Sequence, residues 1–188
     1  MIILIGGKAG EGKSALANFC IEYSKSLNLE VTLIPFANNV KKIGKLLGWD
    51  GNKDNKGRRL LQDVGRIGRE YNPNIWADKI VDEIVSLFPI NYAFVDDWRF
   101  LNESNVMQQH FSPVIKVRIR RPEEFHTLIG TSLYNDISET SLPEDDKYYD
   151  FVINNNLSLG HLEREAENLM NKIQTIFQNG RHMQWKDN

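Results

Sequence analysis

The sequence predicts a three-layer α/β/α fold built on a five-stranded parallel sheet. Three observations carry that expectation. Short apolar runs alternate with stretches of helical periodicity along the chain, the pattern of strands joined by crossover helices. The runs IILI at 2–5 and YAFV at 92–95 are apolar throughout, as strands covered on both faces require. The first run breaks on glycines and leads at once into a helical pattern.

The first strand spans 2–5 and ends at Gly6-Gly7. A helix follows over 13–27, because Leu16, Phe19, Cys20, Tyr23 and Leu27 recur at steps of three and four. Val31–Ile34 is a second strand, closed by Pro35. Val40, Ile43, Leu46 and Leu47 make 38–48 helical, and WDGNKDNKG at 49–57 is a polar loop. A helix from 58 to about 70 stops at Asn72-Pro73-Asn74, and another runs over 75–88. Tyr92–Val95 is a third strand, ending on Asp96-Asp97. A helix at 101–110 and a strand at Val114–Arg120 come next. Residues 122–147 are polar and irregular, with Gly130, Pro143 and the acidic run 144–146. Phe151–Ile153 is a fifth strand, 157–178 a long amphipathic helix, and the last ten residues are expected to fray.

A chain of 188 residues with 41% hydrophobic and 26% charged side chains suits one globular domain with a full core. Its net charge of −2 provides no general basic field, which argues against nucleic acid or an anionic membrane as partner. The single cysteine, Cys20, excludes an intrachain disulfide, and no apolar run is long enough to span a bilayer or serve as a leader. A cytoplasmic protein is the expectation, with a homodimer left open.

Gly7-Lys8-Ala9-Gly10-Glu11-Gly12-Lys13-Ser14 fits G-x-x-x-x-G-K-[ST] between a buried strand and a helix, the context a P-loop needs. Glycines let successive N–H groups turn toward phosphate oxygens, and the helix start adds its partial positive charge. Gly7, Gly10, Gly12, Lys13, Ser14 and Ala15 are therefore candidate contacts for ATP. Lys13 suits the β- and γ-phosphates, and the Ser14 hydroxyl suits Mg²⁺. Asp96 and Asp97, at the end of a parallel strand, are candidates to hold Mg²⁺ or to meet the attacking group, and the sequence does not divide these tasks between them.

Bringing two phosphorylated molecules together requires cations that offset their repulsion, roughly 4 kcal/mol per pair of unit charges at 4 Å and an effective dielectric of 20. Lys41, Arg58, Arg59, Arg66, Arg69, Arg99, Arg118, Arg120 and Arg121 are candidates. Arg58, Gln62 and Arg69 can share one helical face, whereas Arg59 and Arg66 point elsewhere. Phe36 and Trp76 are candidate platforms for a base or parts of the core. Arg120-Arg121 sit where a phosphate-closing lid would hinge.

Several blocks, in order, resemble the phage- and bacterial-type deoxynucleoside monophosphate kinases over nearly the whole chain. They are the P-loop at 7–14; Phe36-Ala37-x-x-x-Lys41; Arg58-x-Leu60-Leu61-Gln62-x-x-Gly65-x-x-x-Arg69 with Trp76; Asp97-x-Arg99-Phe100-x-Asn102-Glu103; Arg118 to Pro122; Ser138-Glu139; and Tyr149-Asp150-x-x-Ile153-x-Asn155. The P-loop is generic to many NTPases, and the blocks around Gln62 and Arg99 are far more specific. The resemblance implies an adenylate-kinase-like P-loop fold in a single domain, 1–188, with an acceptor-binding helical region at about 38–88 and a lid at about 120–147. It implies ATP–Mg²⁺ as donor and a nucleoside monophosphate as acceptor. Lys13 and Ser14 would serve the donor. Lys41, Arg58, Gln62, Arg69 and Arg99 would face the acceptor, with Asp97 as the strand-end aspartate and Arg118 and Arg121 as lid-side cations. Three positions depart from the family's habit: Asn38 replaces an aspartate, Arg66 a threonine, and Ile137 precedes Ser138 where a histidine often lies nearby. Three rival readings stand beside this one. They are a kinase for another small phosphorylated acceptor such as dephospho-coenzyme A, a P-loop ATPase or switch without an acceptor, and a nucleic-acid-processing ATPase, against which the acidic balance and the missing basic stripe argue.

Overall fold

A computed structural model describes residues 1–178 and 184–185. Strand β1 (Ile2–Gly6) lies at the centre of a five-stranded sheet, parallel to β3 (Tyr92–Trp98) on one side and to β5 (Val114–Arg120) on the other. β2 (Val31–Leu33) flanks β3, and β6 (Phe151–Asn154) flanks β5, both parallel. The spatial order is β2-β3-β1-β5-β6.

Alternation along β1 explains its unbroken apolar run. Ile3 and Ile5 face α1 (Lys13–Ser26) and α7 (Leu159–Gln178), packing with Leu16, Cys20, Leu162 and Ile173. Ile2 and Leu4 face the other layer, against Ile80 and Ile84 of α4 (Ile75–Ser86) and Val106 and Met107 of α5 (Leu101–His110). Both layers are thus committed by four consecutive residues.

A third apolar cluster, Val40, Val64 and Trp76, joins α2 (Ala37–Leu46), α3 (Asn55–Tyr71) and α4 at one end of the sheet. α3 starts where Asp54 accepts a hydrogen bond from the Gly57 N–H at 2.7 Å, a side-chain N-cap. The polar segment after β5 contains single 3₁₀ turns at Glu123–Phe125 and Asp146–Tyr148 and the four-residue helix α6 (Ile137–Thr140).

Several expectations change: α3 begins at Asn55, inside the stretch 49–57 expected to be a loop, and α6 forms inside the segment 122–147 expected to be irregular. β3 runs on to Trp98 instead of stopping before Asp96, so both aspartates are strand residues. The chain's end is not wholly frayed: β7 (Gln184–Trp185) pairs antiparallel with β4 (Phe111–Ser112) in a small second sheet, and the rest of the last ten residues lies outside the described chain. Two-residue strands show no periodicity for a sequence reading to detect.

Candidate active site

The loop between β1 and α1 curls over the C-terminal edge of the sheet. Gly12 at φ +102° is the N-cap of α1, and no side chain caps that helix end, which leaves its first-turn N–H groups without a side-chain partner. Gly10 has φ +94°, and a Cβ there would lie 2.5 Å from the Phe125 carbonyl oxygen. Only glycine lets the segment after β5 come this close, and its Thr127 N–H bonds the Ala9 carbonyl at 3.2 Å.

The Lys13 ammonium donates to the carbonyls of Gly7 and Lys8, both at 2.7 Å. Burial, and then the Arg99 charge, pull its pKa down from 10.5 to about 7. Ser14 Oγ donates to Asp96 Oδ2 at 2.5 Å. Asp97 instead accepts from the Phe36 and Ala37 N–H groups at 2.8 and 2.9 Å, at the start of α2. Burial, and then Asp96, raise its pKa. The division of labour left open by the sequence follows from strand alternation. Asp96 shares the face of Tyr92 and Phe94 toward α1, and Asp97 that of Ala93 and Val95 toward the other layer.

Arg99 follows on the same strand end. Its Nη1 donates to Gly7 O at 3.0 Å and to Glu139 Oε2 at 2.7 Å. The same Glu139 oxygen accepts the Ala9 N–H at 2.8 Å. Glu103 holds the turn around Arg99, accepting the N–H groups of Arg99 and Phe100 at 2.9 and 3.0 Å. Burial pushes its pKa up to about 8.

One cleft of about 610 Å³ gathers most of the candidates. Gly10, Lys13, Ser14, Asp96, Asp97 and Arg99 line it together with Phe36, Lys41, Arg58, Gln62, Arg69 and Trp76. Arg69 stacks 4.1 Å from the Phe100 ring, and Arg58 Nε donates to Lys53 O at 2.8 Å. Trp76 is buried and donates its indole N–H to Gly65 O at 3.0 Å, so it serves both as core and as cleft wall. Arg59 and Arg66 are exposed, and Arg66 pairs with Glu70 at 2.8 Å.

Gly7, Gly12 and Ala15 belong to the loop and the first turn of α1 without lining the cleft. Arg118 and Arg121 also lie outside it. Ile115, Val117 and Ile119 take the α1/α7 face of β5, which turns Arg118 the other way. There it is buried, with Nη2 4.0 Å from Glu11 Oε2 and 3.6 Å from Glu144 Oε2. Arg121 stacks 4.1 Å from the Phe125 ring.

Sequence reasoning assigned no role to Glu11, Glu103, His126 or Glu139. Glu11 is buried, accepts the Lys8 N–H at 2.5 Å and lies 3.3 Å from His126 Nε2. Glu11, Glu103 and Glu139 stood inside the motif blocks, which was the one signal available for them. Mg²⁺ fits what is present. Among the described residues no three His, Cys, Asp or Glu side chains converge as a metal cage. A hydroxyl and a carboxylate at one position are the oxygen donors that a phosphate-borne Mg²⁺ takes from a protein.

No protein-family model and no curated protein sequence matches this chain. Solved structures do. A dephospho-CoA kinase from Campylobacter jejuni is similar at 17% identity, with 93% of this chain and 97% of that one covered and a TM-score of 0.52. The Mycobacterium tuberculosis APS kinase, solved with AMPPNP and APS, is similar at 10% identity over 92% and 96%, with a TM-score of 0.52. A sugar kinase from Janibacter sp. HTCC2649 is similar at 12% over 90% and 94%, with a TM-score of 0.51. The chain carries the fold of the P-loop kinases.

Proposed function

We propose that this chain transfers the γ-phosphoryl group of ATP to a nucleoside 5′-monophosphate, deoxy or ribo, giving the diphosphate. The observation that carries this reading is one cleft shared by the P-loop residues, the cations Lys41, Arg58 and Arg69, and the aromatic walls. A site for ATP alone has no use for these additional cations. An anionic acceptor with a flat base matches both the cations and the walls formed by Phe36 and Trp76.

In the proposed reaction an oxygen of the acceptor phosphate forms the new bond to the γ-phosphorus. The bond from that phosphorus to the β,γ-bridging oxygen breaks, and ADP leaves. The residues position and neutralise. P-loop amides and Lys13 hold the donor phosphates, and Arg99 meets charge on the transferred group. Ser14 and Asp96 would hold Mg²⁺, which when bound offsets charge on the β- and γ-oxygens. Asp97 anchors the start of α2 and so places Phe36 and Lys41. Arg58, Gln62 and Arg69 orient the acceptor. The segment at about 120–147 acts as the lid, excluding water that would otherwise take the phosphoryl group.

The test is a panel of all nucleoside monophosphates, with dephospho-CoA and APS as other phosphorylated acceptors, incubated with ATP–Mg²⁺. Nucleoside diphosphate products are expected. Arg58→Ala and Arg69→Ala should each lower acceptor kcat/KM by roughly 10- to 100-fold, the worth of one charge-assisted hydrogen bond, with ATP affinity little changed. Product from another acceptor alone moves the assignment to that acceptor. ATP turnover indifferent to every acceptor makes the chain an ATPase or switch.

A further inference from the structure

Glu139 is an anion seated among phosphate-binding groups. Its Oε2 accepts the Ala9 N–H of the P-loop at 2.8 Å and the Arg99 guanidinium at 2.7 Å. Arg99 Nη1 and Lys13 Nζ both also donate to Gly7 O, at 3.0 and 2.7 Å, so the two cations meet beside this carboxylate. The Glu139 side chain is only 7% exposed. It is carried on α6, a four-residue helix whose neighbour Ile137 is 60% exposed. A buried carboxylate therefore rides on a small, lightly covered element of the lid segment.

We infer that Glu139 stands in for the donor's terminal phosphate in the nucleotide-free protein and is displaced when ATP binds. The inference rests on the P-loop being the donor site, as proposed above. A P-loop N–H and an inward guanidinium are the donors that a γ-phosphate needs. Two anions cannot share them in a cleft of low dielectric without strong repulsion. With the cleft empty, Glu139 pairs with Arg99 beside Lys13 and keeps the lid on the loop. ATP takes over those hydrogen bonds, Glu139 leaves, and α6 is freed to rearrange before the acceptor is closed in. Glu139 thus sets the affinity for the donor and couples its arrival to lid release.

The alternative is that Glu139 is a permanent brace for Arg99, kept in place when ATP is bound. Calorimetric titration of ATP–Mg²⁺ into the wild type, Glu139→Gln and Glu139→Ala separates the two. Competition predicts about tenfold tighter binding by both variants, because ATP no longer displaces a charge-assisted hydrogen bond. Unchanged or weaker binding overturns it. Hydrogen exchange on the wild type gives a second reading that needs no variant. Addition of ATP–Mg²⁺ without acceptor should speed exchange of the amides in 137–141, and slowed or unaltered exchange overturns the proposal. If the wild type and both variants bind no ATP, the donor-site reading falls and this inference with it. If all three bind equally well, this inference alone falls.

Discussion

Lys13 illustrates how a single side chain is prepared for a ligand. Its ammonium is bound to two loop carbonyls and pulled down to about pKa 7, first by burial and then by Arg99. A phosphate beside it favours the charged form, so ATP binding should draw a proton from solvent. At pH 8 the free side chain is mostly neutral, and uptake of about one proton per ATP is expected. Affinity should weaken up to about tenfold per pH unit above 7. Titration calorimetry in buffers of different ionisation enthalpy measures the uptake, and a heat independent of buffer at pH 8 contradicts this account. The identity of Lys13 was legible from the motif around it, and its low pKa was not, because desolvation depends on the fold that encloses it. Asp96 and Asp97 were legible only as a pair. Deciding between them required knowing that the strand continues to Trp98, which sends adjacent side chains to opposite faces.

Among the elements, α3 and α4 show a contact on which the proposed acceptor site depends. A Cβ on Gly68 would sit 2.3 Å from the Trp76 ring, so the glycine makes room for the indole that walls the cleft. Alanine gains about 1 kcal/mol of helix propensity there but overpacks a rigid ring, which costs about 1–3 kcal/mol. Gly68→Ala should therefore lower stability in urea by about 1 kcal/mol and raise the acceptor KM, because Trp76 must shift. An unchanged KM together with higher stability would show that the ring does not shape the proposed acceptor site. The helices themselves were legible, since apolar steps of three and four run through each of them. So was the shared face of Arg58, Gln62 and Arg69, which all reach the cleft. The Gly68–Trp76 contact left no trace in any local pattern, because it joins two helices. Arg118 was misleading for the same kind of reason. A cation at a strand end looks available to a ligand until its partners, Glu11 and Glu144, are brought to it.

For the whole molecule, the consequence of burying Glu103 is a stability that varies with pH. Its folded pKa of about 8 lies above the ordinary value of 4.5, mainly through burial. The folded protein therefore holds this proton where the unfolded chain has released it. The contribution is fully present below about pH 4.5 and is lost as pH rises through about 8. Urea unfolding at pH 5 and pH 8 should show Glu103→Gln losing less stability between the two than the wild type, by about 2 kcal/mol or more. Parallel losses would mean that Glu103 is charged in the fold. The sequence by itself determined the P-loop, the doubly covered central strand and the spacing of Arg58, Gln62 and Arg69 on α3, because each is a regularity within a few turns of chain. Only the tertiary structure decided that Asp96 meets Ser14 while Asp97 anchors α2, that Arg118 is buried behind the loop, and that Glu139 rests on Ala9 across 130 residues of sequence. Those outcomes depend on which groups fold into contact and on the solvent they lose in doing so, and neither is encoded in local spacing.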